Sequence, residues 1–254
     1  MKKLFVFRAV CCALALTITL TEARSMDETQ TLNARQRGIV TIAAFTANGD
    51  LEKLKPALHD GLEAGLTVNE IKEVLVQLYA YTGFPRSLNG IGVFMAVMDE
   101  RKARGIRDEE GREPSPLPAN LDRDAYGARV RAELAGWKSI PAPSGYQLFT
   151  PAIDAFLKQH LFADIFARDN LDHQSRELAT IAALAAMPGL GAQLRFHLGA
   201  AMNTGLSPAQ LRDFIAVLDA GVGKKEAVEA GKVLDAVTDR ALRPGPVATK
   251  SEAN

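Results

Sequence analysis

The chain of 254 residues has two cysteines, Cys11 and Cys12, and none after them. Both fall in an N-terminal segment with the plan of a secretory signal. Lys2, Lys3 and Arg8 make a basic start, Ala9 to Leu20 is apolar, and Thr21, Glu22 and Ala23 fit a small-x-small cleavage site. The run has the length of a signal h-region and is short for a bilayer span. A processed chain starting near Arg24 contains no cysteine, which excludes a disulfide, a thiolate metal site and a cysteine nucleophile. A buried or anchoring N-terminal helix is the other reading of the same run.

An excess of charge is missing too. Lysine and arginine total 30 and aspartate and glutamate total 30, and removing residues 1–23 leaves a net charge of −2. That is no electrostatic footprint for nucleic acid. No stretch alternates apolar and polar residues over the length of a strand. There is no glycine-rich phosphate loop, no G-x-S-x-G and no acidic calcium loop. Among the histidines His59, His160, His173 and His197 no pair has metal-ligand spacing, and His160 with Asp164 reads as an i, i+4 salt bridge. The expectation is therefore a chain without a metal site and without a membrane span after signal cleavage, exported to the periplasm or secreted.

What is present is a duplication. Leu66 to Glu73 matches Leu206 to Asp213, each after a glycine (Gly65, Gly205), at an offset of 140; upstream, Thr41 to Phe45 matches Thr180 to Leu184 at an offset of 139. Self-similarity at a nearly fixed offset decides the architecture. Each copy carries helix signals. Asn33 with Gln36, Thr67 with Glu70, and Ser207 with Gln210 are capping boxes. Apolar stripes such as Ile71, Val74, Leu75 and Leu78 follow the helical period. Tyr81 to Pro85 and Met187 to Gly191 are Gly/Pro breaks. The reading is all-α, two tandem helical bundles related by duplication. The boundaries are a leader at 1–23, a first domain at 30–104, a Pro-rich, charged linker with a helical segment at 105–149, a second domain at 150–240 and a disordered tail at 241–254. The stripes 71–78 and 211–218 call for partners to bury them.

One copy alone keeps residues suited to chemistry. In a helix His197 shares a face with Gln193, Leu194 and Ala201. Glu177 lies on the preceding helix, and a short Gly/Pro turn brings the two towards each other. A carboxylate beside an imidazole orients the ring and raises its basicity. Arg195 or Arg176 is placed to hold a carboxylate substrate. In the first copy Ala57 stands for His197 and Gly38 for Glu177. The same pair also suits a packed histidine beside a carboxylate that favours a helix N-terminus, and the residues alone leave both readings open.

Ser175 to Leu184, followed by His197 to Leu206, resembles the carboxymuconolactone decarboxylase family; Gly65 to Ile71 with Tyr81 to Pro85 is similar to the second half of that motif. The resemblance implies a helical fold related to the AhpD-type alkylhydroperoxidases and catalysis without metal or organic cofactor, with Glu177 and His197 as the acid–base pair. Arg195 and Tyr81 are the expected substrate-binding residues, the segment Tyr79 to Phe84 closing the pocket. The implied reaction is decarboxylation or isomerisation of a small lactone or keto acid; a non-catalytic binding or assembly module of the same fold is the alternative. The peroxidase branch, and any peroxiredoxin label, depends on a Cys-x-x-Cys pair that this chain lacks. Rings of six single domains in the family imply a homo-oligomer, three fused chains to a ring.

The mature protein is expected to begin near Arg24 and to be recovered without a membrane fraction. N-terminal sequencing checks this, and intact Met1 in membranes would refute it.

Overall fold

The computed structural model describes residues 31–242, with side chains as far as residue 239. The expected leader at 1–23 and nearly all of the expected tail at 241–254 lie outside the described residues. Among the described residues there are helices, turns and connecting segments, and no strand. The first copy is α1 (Ala34–Asn48), α2 (Leu51–Glu63), α3 (Val68–Thr82) and α4 (Phe84–Ala103). Between the copies come α5 (Arg123–Leu134), the short α6 (Tyr146–Phe149), and α7 (Pro151–Phe156), which runs into a wider π-helical stretch, π1 (Leu157–Ile165). The second copy is α8 (His173–Ala185), α9 (Gly191–Asn203), α10 (Pro208–Val217) with π2 (Leu218–Val222), and α11 (Lys224–Leu242).

Local chemistry explains the helix starts. The Asn33, Thr67 and Ser207 side chains each accept from the backbone N–H three residues on, and Gln36, Glu70 and Gln210 return the bond. These boxes satisfy donors that a helix start otherwise leaves orphaned. Gly65 and Gly205, at φ 88° and 107°, make the matching left-handed turns just before two of the boxes. Segment 105–118 has no regular structure, yet it is tied down. The Glu109 and Glu110 carbonyls accept from Val68 and Asn69 N–H at 2.9 Å, so the strap supplies partners to the first turn of α3.

The two copies share one hydrophobic core. Ile42, Leu54, Leu58, Leu75 and Leu78 belong to the same cluster as Leu178, Ile181, Leu198, Leu211 and Phe214. At its centre α1 lies against α8. Ala43 and Ala44 of α1 and their counterparts Ala182 and Ala183 of α8 are fully buried, and such small side chains let the two helices approach closely. The stripes 71–78 and 211–218, expected to need other chains, are covered inside this one, by helices of both copies. A second, smaller core joins Val130 and Leu134 of α5 to Leu161, Phe162, Ile165 and Phe166. Here α5 comes so near π1 that a Cβ on Gly127 would lie 1.8 Å from the Lys158 carbonyl oxygen. Only glycine permits that approach.

Charge also crosses between the copies. Glu73 of α3 is 1% exposed and Arg176 of α8 is fully buried; Arg176 Nη2 donates to Glu73 Oε1 at 2.8 Å. Arg168 Nε donates to both Glu73 oxygens at 2.9 Å. Arg176 Nη1 donates to Gln77 at 3.1 Å, and Gln77 donates to Thr180 at 3.2 Å. The duplication repeats the contact in reverse: Arg37 of the first copy, the counterpart of Arg176, pairs at 2.8 Å with Asp213 of the second, the counterpart of Glu73. Burial pushes the Glu73 pKa up, but the hydrogen bond from Arg168 and the charge and hydrogen bond of Arg176 outweigh it, and the net direction is down. Burial works against the Arg176 charge as well. A guanidinium does not give up its proton in a protein, so that opposition is a cost in stability and not a change of state.

Glu73→Gln is expected to cost about 3–5 kcal/mol at neutral pH, since it leaves buried guanidinium charge unpaired. Because folding lowers the Glu73 pKa, its contribution is complete above the ordinary value of 4.5 and is lost as pH falls through the depressed folded value. Urea unfolding at a series of pH values checks both points: wild type should lose stability on acidification, and the variant should lose less.

Candidate active site

α8 and α9 form an antiparallel hairpin around the turn at Pro188 and Gly189. That hairpin places Glu177, fifth residue of α8, opposite His197, seventh of α9. The Nδ1–Oε2 distance is 2.7 Å, with Glu177 fully buried and His197 6% exposed. A solvated first-turn acid would not be sealed from water as Glu177 is. The carboxylate accepts the Nδ1 proton. In the neutral ring, Nε2 then carries the lone pair, and it is the nitrogen left to the cavity that His197 lines.

The imidazole stands edge-on between two rings, Tyr81 at 5.3 Å and Phe196 at 5.1 Å between centroids. Tyr81 belongs to α3, so the first copy supplies one wall of the second copy's site. Its hydroxyl is buried near Thr180 and the Glu177 charge, with no partner at full hydrogen-bond geometry. Burial first, and the Glu177 charge second, push the phenol pKa well above its ordinary value, so Tyr81 stays protonated. Glu177 Oε1 and Arg176 Nε are likewise buried without hydrogen-bond partners.

The cavity measures about 570 Å³. Its walls are mostly apolar: Ile153, Leu157, Leu161, Phe162, Leu184, Leu190 and Phe196, with Tyr81 and Tyr146. Its polar groups are His197, Gln193 and Arg131. Arg131 comes from α5 and went unnoticed in the sequence. The capping Asp122 and the helical pattern announce α5, but nothing in that window says which face of it meets α9. Arg131 Nη1 donates to Asp154 at 3.0 Å and Nη2 to the Tyr146 hydroxyl at 3.0 Å. Burial pushes the Asp154 pKa up, but hydrogen bonds from Gln147 and Lys158 and the Lys158 and Arg131 charges bring the net shift down, so Asp154 stays ionised.

Two of the expected residues are corrected. Arg195 is exposed and does not line the cavity. Two residues along a helix turn the side chain by about 200°, so Arg195 and His197 point to opposite sides. Arg176 is committed to Glu73, Gln77 and the Arg168 carbonyl and cannot receive a ligand. The other histidines serve elsewhere. His59 lies beside Arg101 and Glu100, His160 pairs with Asp164 at 3.0 Å, and His173 Nε2 meets the Phe166 carbonyl at 3.2 Å. Among the described residues no cluster could hold a metal ion.

The equivalent place in the first copy is closed. Gly38 replaces Glu177, Ala57 replaces His197, and Gly221 stands where the repeat would put Tyr81. A Cβ on Gly38 would lie 3.2 Å from the Gly61 Cα and 3.2 Å from Leu66 Cδ1, so α1 and α2 have moved into contact where the other copy keeps a site.

A model of the carboxymuconolactone decarboxylase family matches residues 15–95 and again 151–236. A 4-carboxymuconolactone decarboxylase of Acinetobacter baylyi (strain ATCC 33305 / BD413 / ADP1) is 30% identical over 94 residues, which are 37% of this chain and 69% of that protein.

Tyr81→Phe should leave stability unchanged or raise it by up to about 1 kcal/mol, because it removes a buried hydroxyl that has no partner. Urea midpoints check this; a loss larger than that would mean the hydroxyl is bonded in solution.

Proposed function

Because the chain belongs to the carboxymuconolactone decarboxylase family, we propose that its second copy is an acid–base enzyme that decarboxylates or isomerises a small lactone or keto acid without an organic cofactor. The observation that carries the reading is the 2.7 Å Glu177–His197 pair at the wall of an apolar cavity. His197 Nε2 is the proton-transfer atom. As a base it takes a proton from carbon; after loss of carbon dioxide it returns one, as imidazolium, to the carbanion. Glu177 keeps the proton on Nδ1 and stabilises the imidazolium that forms, in surroundings dry enough to make that charge–charge contact strong. The first copy contributes Tyr81 to the wall and holds α8 in place through Glu73. A binding module of the same fold would need the cavity but not the carboxylate behind the imidazole.

Two His197 variants separate the acid–base role from a structural one. His197→Gln keeps a donor near Glu177 and removes the base; it should lose turnover by about 10²–10⁴-fold with little change in unfolding midpoint. His197→Ala should lose as much activity and also about 1–3 kcal/mol of stability, because Glu177 is left without its hydrogen bond. Carbon dioxide release from lactone acids and proton NMR of isomerisation give the rates. Full turnover in His197→Gln would make the histidine a packing residue.

A further inference from the structure

The charges and polar groups around the cavity restrict what can enter it. Arg131 is the one cation among its described lining residues, and both of its terminal nitrogens are engaged, by Asp154 and by the Tyr146 hydroxyl. Asp154 is itself 6% exposed and also receives Gln147 at 2.7 Å and Lys158 at 3.3 Å. A substrate carboxylate would have to compete with this buried carboxylate for the same guanidinium. Beside His197 it would meet the negative charge of Glu177 behind the ring. An anion whose one cationic neighbour is already neutralised by Asp154 gains little there to offset its desolvation. An uncharged molecule meets none of these obstacles, and Leu157, Leu161, Phe162, Leu184 and Phe196 reward an apolar body.

One polar group remains unused. Gln193 lies one turn before His197 on the same face of α9, lines the cavity, and has no hydrogen bond to the protein among the described residues. Its amide N–H can hold a carbonyl oxygen while Nε2 of His197 meets the neighbouring carbon.

We infer that the cavity takes an uncharged, mainly apolar carbonyl compound, and that the reaction there is a proton shift from one carbon to another and not the loss of carbon dioxide. This rests on the acid–base reading of His197. Nε2 takes the proton next to the carbonyl of a β,γ-unsaturated substrate. The C–H electron pair becomes the enolate double bond and the carbonyl pair moves onto oxygen, where the Gln193 N–H meets it. The imidazolium then returns the same proton to the γ-carbon. The carbonyl re-forms, the double bond ends conjugated with it, and no atom or electron is gained or lost.

Calorimetric titration of the wild-type protein with benzylacetone, hydrocinnamate and muconate tests the ligand class. Their apolar bodies are comparable or smaller in step with charge, and they carry none, one and two carboxylates. The neutral ketone should bind about tenfold or more tightly than the monoacid, with muconate weakest, and each added methylene on the ketone should tighten binding about fourfold. A β,γ-unsaturated cyclohexenone in deuterated buffer, followed by NMR, tests the reaction. It should become the conjugated isomer, and Gln193→Leu, an exposed change that should not alter the unfolding midpoint, should lower kcat by about 100-fold. Muconate binding as well as the ketone, or no binding of the ketone, overturns the ligand class whatever His197 does. Preferential ketone binding with no isomerisation and no deuterium uptake overturns the proton shift and the acid–base reading together, and leaves the ligand class standing.

Discussion

Glu73 and Arg176 come from different copies of the repeat, and neither reaches water. Two buried charges cannot be left a few ångströms apart without a large penalty, so this pair dictates the register in which α3 lies against α8. Arg168, Gln77 and Thr180 complete the network and hold that register further. The consequences run along both helices. On α3, residues 73, 77 and 81 fall on one face at intervals of one turn, so pinning Glu73 and Gln77 delivers Tyr81 to the site. On α8, fixing Arg176 turns the next residue, Glu177, about 100° round the helix towards α9 and His197.

The duplication supplies a second pair of the same kind, Arg37 with Asp213, but that one is open to water, Arg37 being 44% exposed. Exposed pairs contribute little to stability. Where the second copy carries Glu177, the first has Gly38, and α1 packs onto α2 so that a Cβ there would lie 3.2 Å from the Gly61 Cα. The first copy packs α1 closely on α2 where the second holds the buried Glu177–His197 pair.

Three parts of the chain build the cavity: α3 of the first copy, α8 and α9 of the second, and the segment from α5 to π1 that precedes them. Neither copy could form it alone. The α5 to π1 segment matters most for its chemistry. Docked through Gly127 against Lys158, it brings Arg131 to the cavity with Asp154 already bound to it. A cation that arrives paired shapes the pocket without charging it, and the site is left with an imidazole, an amide and apolar walls.

Much of this was legible in short windows of sequence. Asn33, Thr67 and Ser207 announce their helices because a cap needs only residues three apart. The 139–140 offset announces the tandem all-α plan. Glu177 and His197 could be paired on paper because one tight turn separates their helices, and an antiparallel hairpin admits few arrangements. Arg195 was misplaced by a local error: two residues along a helix is nearly the opposite face. The remaining differences were not local. Arg176 looked free to bind a substrate because its partner, Glu73, lies 103 residues away. Arg131 was invisible as a wall of the site because its place depends on how α5 docks against π1, which Gly127 permits but does not announce. Hydrogen-bond and helical periodicities span a few residues and are written in them. Which buried charge meets which, and which side of a helix faces a cavity, is settled by burial across the whole chain, and that only the tertiary structure decided.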